Sequence, residues 1–212
     1  MKNFILLLVL LLLPSAAPAA DLFLEQPRWS LEATGGTFTP SLENWSRFYG
    51  KRYMPEYAAS LAYKVFPLVE LGAGAGIVKG QGQAYAALHG TLVGNVTYEL
   101  RPVNVFILAR GMVSEGQWMA PYVGGGWTRM YYRKEVRDQE SVRGSVDGYH
   151  CRGGLQFSLD SLDQRASNRM YLDYGVHHTW LIIEAEYTKA VLRSTSTDLG
   201  GTSYRCGLLF EF

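Results

Sequence analysis

Eight segments of the chain beyond residue 20 alternate apolar and other residues with period two, the pattern of strands whose two faces meet different surroundings. In RWSLEATGGTF, Trp29, Leu31 and Ala33 share one face, and Ser30, Glu32 and Thr34 the other. In EYAASLAYKVF, Tyr57, Ala59, Leu61, Tyr63 and Val65 oppose Ser60 and Lys64. A turn at Pro67 leads into VELGAGAGIV, where Leu71, Ala73, Ala75 and Ile77 oppose Glu70 and a row of glycines. The fourth segment, 97–113, sets Val103, Val105, Ile107 and Ala109 against Asn104 and Arg110, with Phe106 and Leu108 interrupting the polar face. PYVGGGWTRMYY reads with Tyr122 and Tyr132 opposite Arg129. GYHCRGGLQFSLD sets Tyr149, Cys151, Leu155, Phe157 and Leu159 against His150, Arg152, Gln156 and Ser158. HTWLIIEAEYTK sets Leu181, Ile183, Ala185 and Tyr187 against Glu184, Glu186 and Thr188. In TSYRCGLLFEF, Tyr204, Cys206, Leu208, Phe210 and Phe212 oppose Ser203, Arg205, Gly207 and Glu211.

Two all-β architectures accommodate eight such strands, a soluble sandwich and a membrane barrel. A sandwich sends its charges outward in bulk. Here they are sparse on the minority face, among Gly, Ser and Thr. That face carries Lys64, Arg110, Arg129, Arg152 and Arg205 against Glu32, Glu70, Glu184, Glu186 and Glu211. An eight-stranded barrel has an interior just wide enough to be filled by side chains, so balanced charges there pair and plug it. The ten residues from Tyr122 to Tyr132, at ~3.3 Å each and tilted by about 40°, span roughly 25 Å, the height of an apolar band between aromatic girdles. The predicted fold is therefore an eight-stranded antiparallel transmembrane up-and-down β-barrel.

Turns near Pro67, 114–119 and 160–176 are expected on the inner side, and loops 39–53, 79–96, 134–147 and 192–201 on the outer. Within SLDQRASNRMYLDYG, the spacing of Leu162, Ala166 and Met170, a Ser161 cap and a Gly175 stop predict a short amphipathic helix over 161–174. It either lies at the interface or closes the inner end of the barrel, with an ordered turn as the alternative.

Met1-Lys2-Asn3, the apolar run Phe4–Leu13 and the small-residue stretch SAAPAA have the layout of a secretory signal peptide over 1–20, leaving 21–212 as the barrel domain. The apolar run is shorter than the ~20 residues of a spanning helix. Removing the leader takes Lys2 and no acid, so 19 basic residues balance 19 acidic ones, which gives no support for nucleic-acid binding. The later chain has no apolar run long enough for a transmembrane helix, so a membrane protein here must be a barrel.

The final stretch, Arg205-Cys206-Gly207-Leu208-Leu209-Phe210-Glu211-Phe212, resembles the C-terminal assembly signal of bacterial outer-membrane barrels, with Arg205, Gly207, Phe210 and Phe212 in its four places. LVELGAGAG and APYVGGGW likewise resemble strands of the small OmpX/OmpW-like barrels and the transmembrane domain of OmpA. The resemblance implies a Gram-negative outer-membrane location, contact with outer-membrane lipid and lipopolysaccharide, and recognition by the outer-membrane assembly machinery. The stretch 160–176 departs from the simplest members of that group.

Candidate chemistry is thin. Cys151 and Cys206 fall on the apolar face, two strand spacings or about 10 Å apart, beyond bridging distance, so free thiols are expected. His150, His177 and His178 with Glu184 and Glu186 suggest a lipid-modifying nucleophile set, but no Ser is placed with them. No Cys/His spacing resembles a zinc site, and neither cofactor nor metal is expected. The loop ENWSRFYGKRYMPEY mixes aromatics and cations, suiting an interfacial anchor or a grip on a lipopolysaccharide phosphate. The expected role is that of a monomeric, non-enzymatic outer-membrane barrel with a charge-plugged interior and structural or surface-interaction duties. Behind it stand a narrow OmpW-like channel for small apolar solutes and, further back, a lipid A-modifying enzyme.

Overall fold

The computed structural model describes residues 27–41, 45, 52–85, 92–112, 117–136, 141–192 and 197–212, with side chains described for all of these except 82–85, 92–96 and 136. The leader expected over 1–20 lies outside the described residues, as does most of the first loop. Eight long strands form the wall: β1 (Trp29–Pro40), β2 (Met54–Phe66), β3 (Val69–Tyr85), β4 (Leu92–Arg110), β5 (Met119–Val136), β6 (Val142–Ser158), β7 (His178–Lys189) and β10 (Gly201–Glu211). A two-residue pair, β8 (Val191–Leu192) with β9 (Thr197–Asp198), lies between β7 and β10.

Each long strand pairs antiparallel with its sequence neighbour in the wall, and β1 pairs with β10 from Ser30↔Glu211 to Pro40↔Gly201. The sheet is thus a closed barrel with no free edge. At the seam Phe212 N–H donates to Trp29 O (2.8 Å), and Trp29 N–H donates to Phe212 O (3.1 Å).

Closure turns the two-residue period into an inside and an outside. Ile107 on the outer face is 59% exposed, whereas Ile182 on the inner face is fully buried. Leu31, Leu61, Leu71, Val103, Val105, Val123, Leu155, Leu181, Ile183 and Leu208 all face outward on the wall. A belt of exposed aliphatic side chains around a closed sheet is what a hydrocarbon surrounding stabilises. Aromatic rings flank it. Trp29 meets Tyr63 edge-on at 5.0 Å and Trp118 lies against Phe157 at 6.1 Å toward the end carrying the termini, while Tyr57, Tyr149, Tyr187 and Tyr204 are exposed toward the other end.

Three expectations are corrected. The first concerns the phase of β5: Tyr122 is buried and Tyr132 packs against an interior cluster, so neither belongs to an outer girdle. Trp127 and Tyr131 face outward instead, and with them Arg129, which pairs with Asp147 at 3.4 Å on the outside of the wall. Arg129 is therefore not an interior charge.

The second concerns length. Strands reach 17 to 19 residues in β3, β4 and β6, and β3 and β4 run past the loop-side ends of their alternating segments because Lys79–Tyr85 pairs with Leu92–Glu99 and extends the hairpin beyond the belt. The expected loops 79–96 and 134–147 shrink to 86–91 and 137–141.

The third concerns the helix between β6 and β7. Helix α1 spans Gln164–Tyr174, capped by Asp163, whose carboxylate accepts from Arg165 N and Ala166 N, rather than by Ser161. Gly175 ends it as expected, at φ 69°, where a side chain would be strained. No residue of α1 is buried, so the helix does not close the barrel.

A salt-bridged interior as the candidate functional site

The barrel interior is built from inward-facing residues of all eight long strands. Toward the loop end, Phe38, Met54, Val78, Leu100, Met130 and Leu199 pack with Trp45 and Tyr98. Toward the terminal end, Ala62, Phe106, Leu108, Ala120, Tyr122, Trp180, Ile182 and Leu209 form a second apolar cluster. The residues that interrupt the polar face of the fourth segment, Phe106 and Leu108, are thereby explained: they are interior filling, not lipid-facing.

Two groups of charges share this space. In the first, Lys64 pairs with Glu211 at 3.2 Å, Arg110 pairs with Glu211 and lies 2.9 Å from Glu70, Trp180 Nε1–H donates to Glu211 (2.9 Å), and Ser30 donates to Glu70 (3.1 Å). In the second, Arg205 reaches Glu184 at 2.5 Å, Glu56 at 3.2 Å, and Glu186, while Arg152 lies 3.3 Å from Glu32 and 3.4 Å from Glu184. Every one of these side chains is at most 8% exposed. Arg152 also lies 4.1 Å from the centroid of the Phe106 ring, a cation–π contact.

Glu56 is the member sequence reasoning missed. It sits at the mouth of the segment, next to a loop rich in charge, and nothing in the alternation separates it from a solvated loop residue. With Glu56 inside and Arg129 outside, the networks hold Lys64, Arg110, Arg152 and Arg205 against Glu32, Glu56, Glu70, Glu184, Glu186 and Glu211, an excess of carboxylate. Neutral donors meet that excess. Besides Ser30 and Trp180, Tyr122 donates to Glu184 (2.8 Å) and Thr188 to Glu186 (3.2 Å). Buried ions require such additional hydrogen bonds, since Coulomb attraction alone does not offset their desolvation.

The histidines do not form a site. His150 is interior: Thr128 donates to Asn104 (2.7 Å), so His150 Nδ1–H donates to Thr128 (2.8 Å). His178 instead meets Asp160 at 2.8 Å at the terminal end, and His177 meets the Tyr171 ring edge-on at 4.8 Å. Glu184 and Glu186 are engaged with arginines. Cys151 and Cys206 are free and face outward, and no cluster of metal-binding side chains exists among the described residues.

The cavity between Glu32, His150, Arg152, Glu186 and Arg205 measures about 20 Å³. That is room for roughly one water molecule.

An outward apolar belt, a sheet without edges and a buried ionic interior define a membrane-spanning β-barrel of the outer-membrane type. Solved structures of that class have the same fold. The outer membrane protein OprG from Pseudomonas aeruginosa superposes with a TM-score of 0.62 at 10% identity, covering 89% of this chain and 97% of that one. Neisserial surface protein A gives 0.57 at 11% identity, covering 87% and 97%. No protein-family model matches the sequence, and no curated protein matches it.

Proposed function

We propose that this protein is a non-conducting integral barrel of the bacterial outer membrane, with a structural or surface-interaction role, and that its interior charge networks serve to hold the wall together rather than to pass solute. The observation that carries the reading is the filled interior: buried ion pairs between two apolar clusters, with a cavity of about 20 Å³ beside Arg152 and Arg205. A sugar or amino acid needs many times the room of one water. The same packing counts against a conduit for small apolar molecules, which would meet Glu56, Glu184 and Arg205 on its way.

In this reading the end carrying the termini faces the periplasm, the long hairpins β3–β4 and β5–β6 rise on the outside of the cell, and the barrel is monomeric. Arg205, Gly207, Phe210 and Phe212 act during biogenesis as the segment read by the assembly machinery.

Solute entry into proteoliposomes tests the role. Swelling in small sugars and amino acids is expected to match protein-free vesicles, and cells producing the protein are expected to take up a small apolar dye at an unchanged rate. Accelerated swelling would overturn the non-conducting role; faster dye uptake would restore the apolar conduit.

A further inference from the structure

The arginine that the structure moves outside the barrel is not alone there. Arg101, Arg129, Arg133 and Arg143 all project outward from β4, β5 and β6, at the loop-side edge of the apolar belt. Arg101 follows directly on the exposed Val103 and Val105 of its own strand, and Arg129 follows the exposed Trp127. Neighbouring acids compensate for part of this charge. Glu99 pairs with Arg101 and lies 3.8 Å from Lys79, Glu135 pairs with Arg133, and Asp147 lies 3.4 Å from Arg129.

The register sets two of these arginines face to face, and only Arg133 has an acid partner among the described residues. Arg133 stands directly opposite Arg143. Like charges facing each other across a strand pair are destabilising, and Arg143 makes no hydrogen bond or ion pair with any described residue. The two arginines line a groove of about 390 Å³ together with Glu99, Arg101, Tyr131, Tyr132, Gly144 and Ser145, and the Glu99 carboxylate is already met by Arg101 and Lys79. Elsewhere around the wall, β1, β2 and β10 present no outward cation among the described residues. An arginine pair beside the outward ring of Tyr131, set where aliphatic side chains give way to polar ones, matches an anion carried at the membrane boundary.

We propose that this groove binds the phosphate-bearing headgroup of an outer-leaflet glycolipid, with Arg133 and Arg143 clasping one phosphate between them and Tyr131 against the lipid's polar–apolar boundary. Tyrosine suits that place because its ring is apolar and its hydroxyl is wet. The proposal deepens the outer-membrane reading above and rests on it.

The test is equilibrium binding to the folded, purified barrel, with bisphosphorylated lipid A, dephosphorylated lipid A and inorganic pyrophosphate as the three probes. The R133Q/R143Q variant alters only exposed side chains, and its folding is checked by the migration shift of unheated against boiled protein. Bisphosphorylated lipid A is expected to bind at least about tenfold more tightly to the unsubstituted barrel than to R133Q/R143Q, since each boundary arginine contributes on the order of a fivefold factor. K189Q, which removes an outward cation on β7, is expected to bind as the parent does.

Equal affinity of R133Q/R143Q and the parent overturns the site. So does equal affinity for the dephosphorylated lipid, which would reduce the contact to acyl chains, or equal affinity for pyrophosphate, which would make it a free-phosphate site. A barrel that inserts and fails these tests loses only the headgroup site. A chain that does not insert at all contradicts the membrane reading itself, and the headgroup site with it.

Discussion

Arg205→Met is expected to destabilise the folded barrel by about 3–5 kcal/mol, the range seen when one partner of a buried ion pair is removed. Arg205 is the cation that reaches Glu56 and Glu186, and it shares Glu184 with Arg152. Its loss leaves Glu56 and Glu186, both buried, without a cation among the described residues. Methionine fills much of the same volume, so the loss reports charge rather than a cavity. Urea titration, followed by the ratio of folded to unfolded bands in unheated gels, measures it. Adding Glu56→Gln and Glu186→Gln to Arg205→Met is expected to recover much of the stability, because the three changes together remove the uncompensated charge. A variant as stable as the parent would show that the network is not what holds this part of the wall.

The second large effect is expected at the seam. Gly207 lies on β10 opposite Thr34 of β1, and a Cβ built there falls 2.0 Å from Ala33 O and 2.7 Å from the Thr34 Cα. Those atoms are backbone of the closing strand, so they cannot move aside without opening the barrel. Gly207→Val is expected to abolish the compact band of unheated protein, both in cells and after refolding into detergent micelles.

Phe212→Asp separates folding from recognition. Phe212 projects outward, 39% exposed, and its backbone bonds to Trp29 do not depend on the side chain. Phe212→Asp is therefore expected to fold in micelles yet fail to accumulate in the outer membrane of cells. Normal accumulation would remove the assembly role proposed for this segment, while failure in micelles as well would make Phe212 a stability residue.

The architecture was legible in the sequence because a barrel interior and a hydrocarbon exterior demand opposite residues at alternate positions, and seven of the eight segments mark their phase with a charge or polar row. In β7, Glu184, Glu186 and Thr188 leave no doubt about which face is inward. β5 offers no such mark. Gly124, Gly125 and Gly126 erase the alternation at its centre, and the adjacent Tyr131 and Tyr132 fit either phase. The misplacement of Arg129 and Tyr122 follows from that one ambiguity.

The length of the β3–β4 hairpin was hidden for a related reason. Once a strand leaves the membrane both its faces are wet, so residues such as Lys79, Gln81 and Gln83 read as loop although they continue the ladder. Only pairing across the wall reveals them, and it is also what sets Arg133 against Arg143.

The central claim is that ion pairs and packed side chains fill this barrel from one apolar cluster to the other. Current across a planar lipid bilayer containing the purified, folded protein tests it most directly. The account predicts a baseline indistinguishable from lipid alone at any holding potential the bilayer withstands. Stepwise, persistent single-channel conductance from the unsubstituted protein would contradict it.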